Sequence, residues 1–221
     1  MSTSSHPTPS PKRALVVVDV QNEYDGGALA IRHPPFAETV ANVSRAMAAA
    51  TEAGIPIVVV RQTAPKESPT FAAGSHGAAP HPAIADAPHD HTVDKALPSA
   101  FTGTDLEAWL RARGVDTVVV AGYMTHNCDL STIVHALHMG FAVEFLSDAS
   151  GSIPYANAAG IASAEEIHRV ICVVLQSRFA AVVSTDAWIA AVREGTVLER
   201  DTIVASHRRA LAADLANHRT A

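Results

Sequence analysis

Cysteine is the scarcest chemically useful residue in this 221-residue chain, with only Cys128 and Cys172 present. Two thiols are too few for a disulfide scaffold and too few for a cysteine-based structural zinc site, so at least one calls for another explanation. Long hydrophobic runs are also missing. Apolar stretches such as Ala14 to Val18 and Val115 to Ala121 are strand-sized and far short of the ~20 residues that span a bilayer. Met1 to Lys12 carries Ser, Thr and Pro without the apolar core of a signal peptide. These absences together predict a soluble cytoplasmic protein. Lys and Arg form no cluster and the formal net charge is −6, which leaves no basic field for nucleic acid. Charged residues make up 17% of the chain against roughly 25% in ordinary soluble domains. That shortfall predicts surface buried between subunits, hence a homo-oligomer.

What is present is a regular alternation. Ala14-Leu-Val-Val-Val-Asp-Val20 reads as a buried strand, because its apolar run is continuous and β-branched. Phe36 to Ala53 has helical periodicity and stops at Gly54, and Ile55 to Val60 is again strand-like. Helical signals run from Thr104, a candidate N-cap, to Arg113, before a strand over Thr117 to Ala121. A helix from Cys128 to Met139, a strand from Phe141 to Leu146 and a helix from Ser163 to Arg178 follow. A short strand at Ala180 to Ser184 and a short helix at Asp186 to Val192 complete the pattern. Such alternation predicts an α/β fold: three layers, α/β/α, with a mostly parallel central sheet and helices on both faces. Residues 1–12 read as a disordered leader, 13–192 as one domain and 193–221 as a helical extension. The stretch from residue 62 to 93, with Pro65, Pro69, Pro80, Pro82 and Pro88, reads as a long irregular loop of the kind that usually serves function.

Ligands of parallel sheets bind beyond the carboxyl ends of the strands. Asp19 and the turn before Cys128 both fall there. A thiol at a helix start sees the positive end of the backbone dipole and unpaired N–H groups, which favour thiolate and can hold an oxyanion. The same position also suits a small core residue, and position alone leaves both readings open. A carboxylate at Asp19, partly shielded from water, would have a raised pKa suited to a base, although an acidic residue can simply terminate a strand. Lys95 on its own reads as a surface lysine. Cys172 lies in the apolar run Val170-Ile-Cys-Val-Val-Leu175 and reads as core.

The combination is more informative than its members. Leu15-Val-Val-Val-Asp-Val-Gln-Asn-Glu-Tyr24, Asp94-Lys-Ala-Leu-Pro-Ser-Ala-Phe-Thr-Gly-Thr-Asp-Leu106 and Val119-Val-Ala-Gly-Tyr-Met-Thr-His-Asn-Cys128 resemble, in order, three stretches of the isochorismatase-like cysteine hydrolases, a family that includes nicotinamidases and N-carbamoylsarcosine amidohydrolases. The resemblance spans about residues 13 to 190. It implies a hydrolase of an amide-type C–N bond acting through a thioester, with Asp19 as base, Lys95 as electrostatic partner and Cys128 as nucleophile. It also implies an oxyanion hole from the backbone N–H groups of Met124 and Cys128, a cis peptide at Tyr123–Met124, and Tyr24 as a pocket wall.

Departures from the family pattern carry expectations too. Arg61-Gln-Thr-Ala-Pro65 lacks the aspartate and histidines with which metal-holding relatives bind their ion, so neither metal nor cofactor is expected. Asp129 replaces a commonly apolar residue, and its charge would oppose a thiolate unless it faced solvent or a neighbouring subunit. His76, His81, His89 and His91 invite a zinc reading, but a proline-rich loop offers no fixed ligand geometry, and a solvated loop is expected. The segment from Phe71 to Gly77 is expected to act as a lid or an oligomer contact. Two other functions stay open: hydrolysis of a non-amide bond, as in isochorismatases, and a non-catalytic binding or assembly protein with the same fold.

Overall fold

The computed structural model of the protein describes residues 10–217, so the first nine residues of the expected leader lie outside the described residues. Six parallel strands form the central sheet, in the order β3-β2-β1-β4-β5-β8. They are β1 (Arg13–Val18), β2 (Ile57–Gln62), β3 (His91–Lys95), β4 (Thr117–Tyr123), β5 (Ala142–Gly151) and β8 (Ala181–Val183), while β6 (Tyr155–Asn157) and β7 (Gly160–Ala162) make a separate antiparallel hairpin. The helices are α1 (Glu23–Gly26), α2 (Phe36–Glu52), α3 (Pro82–Ala85), α4 (Leu106–Ala112), α5 (Leu130–His138), α6 (Ala164–Arg178), α7 (Thr185–Glu194) and α8 (Ile203–Asn217). The three-layer α/β/α architecture expected from the alternation is the one observed.

β1 explains the layering. Its side chains alternate across the pleat, so Leu15 and Val17 join α2 and α7 in one core while Ala14, Val16 and Val18 join α4 and α5 in the other. A strand buried on both faces has no polar side, hence the unbroken apolar run. Strand order runs outward from β1 through β2 to β3, then resumes at β4 on β1's other side. The crevice between β1 and β4 is therefore the topological switch point, where ligands of open parallel sheets bind.

Several boundaries differ from the sequence expectation. β2 continues to Gln62, β5 continues to Gly151, and α7 ends at Glu194 rather than at 192. Asp105, not Thr104, occupies the N-cap position of α4 and makes no side-chain cap bond, while the Thr104 hydroxyl donates to the Ala100 carbonyl and accepts a long 3.4 Å bond from the Leu106 N–H. The long loop contains α3 and ends in β3, a strand whose Val93 and Lys95 are buried while Thr92 and Asp94 are exposed. Lys12, within the expected leader, is tied to Asp116 through its backbone N–H. Beyond α7, Asp201 N–H bonds the Gln176 carbonyl and fixes the approach to α8. Among the described residues no helix is long and apolar enough to cross a membrane.

Candidate active site

Four successive carboxyl ends converge at the switch point. Asp19 follows β1, Gln62 ends β2, Lys95 ends β3, and Cys128 follows β4 in a turn of π-helix over Thr125–Asp129. Asp19 leaves its strand with φ of 51°, a left-handed conformation uncommon outside glycine that turns the chain sharply into Gln21–Tyr24. Close approach of β1 and β4 is possible because residue 122 is glycine: with φ of 120°, a Cβ there would lie 2.0 Å from the Val18 carbonyl oxygen. The peptide between Tyr123 and Met124 is cis, as the family resemblance implies.

Lys95 is where these groups meet. Its Nζ lies 2.7 Å from Asp19 Oδ2, 3.3 Å from Cys128 Sγ and 2.6 Å from Gln62 Oε1. Asp19 and Lys95 have no exposed side-chain surface. Two ions removed from water need each other and further hydrogen bonds to offset desolvation, and Gln62 supplies one. The expectation for Lys95 alone, a surface residue, is overturned by this burial.

The electrostatics follow from burial and pairing. Burial raises the Asp19 carboxyl above its ordinary range, against the opposing pull of Lys95. Burial lowers Lys95, but Asp19 and Cys128 together outweigh that effect and the ammonium is held charged. For Cys128, burial first and the Asp19 charge second push the thiol well above its ordinary range, with Lys95 partly offsetting them. Cys128 therefore rests as a thiol rather than the thiolate expected from a helix start. The reason is local: the residue lies within the π turn and is almost fully buried, so desolvation outweighs the dipole. A resting thiol beside a carboxylate needs a base to take its proton, and Asp19 faces it.

Asp129 is the clearest correction. It is wholly buried and points neither to solvent nor to a neighbour. Its Oδ2 accepts a 2.6 Å hydrogen bond from the Ser150 hydroxyl, which also lies 2.6 Å from Thr125 Oγ1. Ser150 thus ties together the first and last residues of the π turn that carries Cys128. Thr125 Oγ1 continues to His168 Nδ1 at 2.9 Å, and His168 Nε2 lies 3.6 Å from the Cys172 thiol. Burial pushes the Asp129 carboxyl up to about 7. Cys172 is half-buried, packs against the edge of the core and also ends this polar chain. Sequence reading also missed Gln62, Ser150 and Thr125. Gln62 lay just past the expected strand end, and Ser150 and Thr125 have meaning only through contacts distant in sequence.

A cavity of about 310 Å³ opens above Cys128. Tyr24, Leu29, Phe71, Pro98 and Met124 give it apolar walls, and Gln62, Ser68, Thr70 and Asn127 give it uncharged polar groups. Tyr24 lies at the wall where the resemblance puts it, edge-on to Phe71 at 5.4 Å between ring centroids. Ser68, Thr70 and Phe71 belong to an arch between β2 and α3 whose feet are clamped by Gln21. Its side chain donates to the carbonyls of Gln62 (3.0 Å) and Ala78 (2.8 Å) and accepts from Gln62 N–H (2.9 Å). The expected lid segment therefore contributes a pocket wall through Phe71. The histidines lie elsewhere: His81 caps α3, His89 bonds the Ala87 carbonyl, and His91 sits in β3 stacked on Trp109 and bonded to Asp105. Among the described residues no cluster of three metal-ligating side chains forms.

The isochorismatase domain family matches residues 13–187. The chain belongs to the isochorismatase family. A crystal structure of a candidate isochorismatase from Burkholderia xenovorans LB400 is 60% identical, with a TM-score of 0.92 over 94% of this chain and 100% of that one. N-carbamoylsarcosine amidase from Thermoplasma acidophilum superposes with a TM-score of 0.65 at 26% identity, over 79% of this chain and 96% of its own. Ureidoacrylate amidohydrolase from Methylobacterium radiotolerans is 31% identical over 62% of this chain and 66% of its own. The protein is accordingly an isochorismatase-family hydrolase, whose Asp19, Lys95 and Cys128 lie together at the switch point.

Proposed function

We propose that the protein hydrolyses an amide-type C–N bond of a small molecule through a thioester on Cys128. The observation that carries this is the single ammonium, Lys95 Nζ, lying within 3.3 Å of both Cys128 Sγ and the Asp19 carboxylate. Asp19 takes the thiol proton as sulfur attacks the carbonyl carbon, and the new C–S bond replaces the C–N bond as that proton passes to the departing ammonia or amine. Water then adds to the thioester carbonyl with Asp19 accepting its proton, the C–S bond breaks, and the proton returns to sulfur. Backbone N–H groups of Met124 and Cys128 hold the oxyanion in both steps. The two amide-cleaving relatives support this bond class, and the thiol separates the site from vinyl-ether hydrolysis by water alone.

The experiment is replacement of the sulfur. Cys128→Ala should abolish ammonia release and covalent acyl-enzyme on mass spectrometry, with the thermal transition retained. Near-normal turnover by Cys128→Ala would overturn the thioester and favour direct attack by water. A cytoplasmic homo-oligomer belongs to the same proposal, supported by the low charge content and by the exposed Val170, Val173 and Val174 on α6. Sedimentation of the purified chain checks the assembly.

A further inference from the structure

Among the described residues, no charged side chain lines the cavity above Cys128. Among those residues, the ionisable side chains around it are engaged or face elsewhere: His126 is held between the Ser152 hydroxyl at 3.1 Å and the Tyr155 hydroxyl at 2.9 Å. Lys95 is neutralised by Asp19. Glu23 lies buried beneath the arch with Oε1 accepting from the Ala28 N–H at 2.7 Å. Arg61 forks onto Asp94 on the exposed side of the sheet edge. Asp129 points behind the nucleophile turn to Ser150. Lys66 and Glu67 are adjacent, opposite in charge and exposed on the arch, and neither lines the cavity. Burial holds the Tyr24 phenol well above its ordinary range, so that wall is neutral as well.

The walls are also built rather than incidental. Phe71 holds φ of 52°, a left-handed conformation that strains an aromatic residue. That strain places its ring edge-on to Tyr24, while Gln21 fixes both feet of the arch. The volume, about 310 Å³, is at the small end of small-molecule sites.

We propose that this cavity selects an uncharged carboxamide with a compact apolar body, seated between Tyr24 and Phe71, and rejects amides that carry a carboxylate. The inference rests on the thioester reading of Cys128 and adds the substrate class. A carboxylate entering here would lose its water, find no cation, and approach the Asp19 charge; burying an ion without a partner is far costlier than burying an apolar group. Gln62, Ser68, Thr70 and Asn127 remain to orient the carboxamide itself. Substrates of the N-carbamoylsarcosine kind, which carry a carboxylate, fall outside the class.

Matched pairs test this. 4-Nitrobenzamide and 4-carbamoylbenzoate have similar shapes and differ in charge, as pentanamide and 4-carbamoylbutanoate do among flexible chains. The neutral member of each pair should show at least about a 100-fold higher kcat/KM for ammonia release, and Thr70→Arg should narrow that ratio by supplying a cation. Equal or preferred turnover of the carboxylates would overturn the proposal. Calorimetric binding to Cys128→Ala gives a readout independent of chemistry: neutral amides should bind and carboxylates should not, and binding of the carboxylates alone, or of neither class, overturns the inference. Neutral amides that bind but never acylate Cys128 would sink the thioester reading while leaving the charge preference intact.

Discussion

The Ser150 hydroxyl donates to Asp129 at 2.6 Å across 21 residues of sequence, directly behind the turn that presents Cys128. That carboxyl is pushed up to about 7 by burial, above the ~3.9 of an unfolded aspartate. The folded protein therefore holds the Asp129 proton more tightly than the unfolded chain does. Stability from this group is fully present below pH ~3.9 and is lost as pH rises toward 7. Asp129→Asn keeps an acceptor for Ser150 and cannot ionise, so it should remove this loss. Denaturant unfolding should find the variant more stable than the parent at pH 8, by on the order of 1–4 kcal/mol, with the difference shrinking toward pH 4. A variant less stable than the parent at pH 8 would mean that the ionised carboxylate is what the turn requires.

Asp19 and Lys95 should fail for different reasons. Asp19→Asn keeps the shape but removes the proton acceptor, and general-base catalysis worth ~10²–10⁴ in rate should disappear. Lys95→Ala strands a buried carboxylate, so a stability loss of about 3–5 kcal/mol should accompany the kinetic one. Lys95 lowers the Cys128 thiol, and its removal should move the rising limb of the pH–rate profile upward. Because the groups act as a unit, single-turnover rates should show the double variant little worse than the poorer single one. Simple multiplication of the two losses would separate them from a common site.

Gln62 Oε1 accepts from Lys95 at 2.6 Å. A hydrogen bond to a charged group contributes ~1.5–3 kcal/mol, and Gln62→Met leaves that donor without its acceptor. The expected result is a 10- to 100-fold fall in kcat. Steady-state kinetics with unchanged kcat would show that Asp19 alone positions the ammonium.

Arg61-Gln-Thr-Ala-Pro65 offers no aspartate–histidine set at the end of β2, so turnover should survive prolonged dialysis against a chelator. Inactivation by EDTA with recovery on adding zinc or manganese would direct attention to His76, His81, His89 and His91.

Legibility in the sequence followed burial. β1 and β4 are buried along their whole length, and a strand buried on both faces needs an unbroken apolar run, so composition betrays it. β3 is an edge strand with pattern His91-Thr-Val-Asp-Lys95, apolar only at Val93, and its one inward ion looks like surface until Asp19 is in view. Asp19, Lys95 and Cys128 were legible as an ordered set of motifs. Asp129 was not, because its burial is made tolerable by Ser150 and Thr125, which no local pattern connects to it. The π turn had no advance signal either: the sequence reads as a polar turn up to Asn127 and a helix from Cys128, and the extra residue per turn becomes visible only in the 3.2 Å bond from Asp129 N–H to the Met124 carbonyl.

The clamp at Gln21 separates two rates of change. With both feet of the arch held by one side chain on the β1 side, and Thr63 and Gly77 bonded to Lys95 and Glu23, the span from 65 to 75 is the part whose rewriting leaves the bonds at the strand ends carrying Asp19, Gln62 and Lys95 in place. New amide preferences can then be sampled by substituting the arch, as an exchangeable cassette, while the reacting atoms stay where the sheet put them.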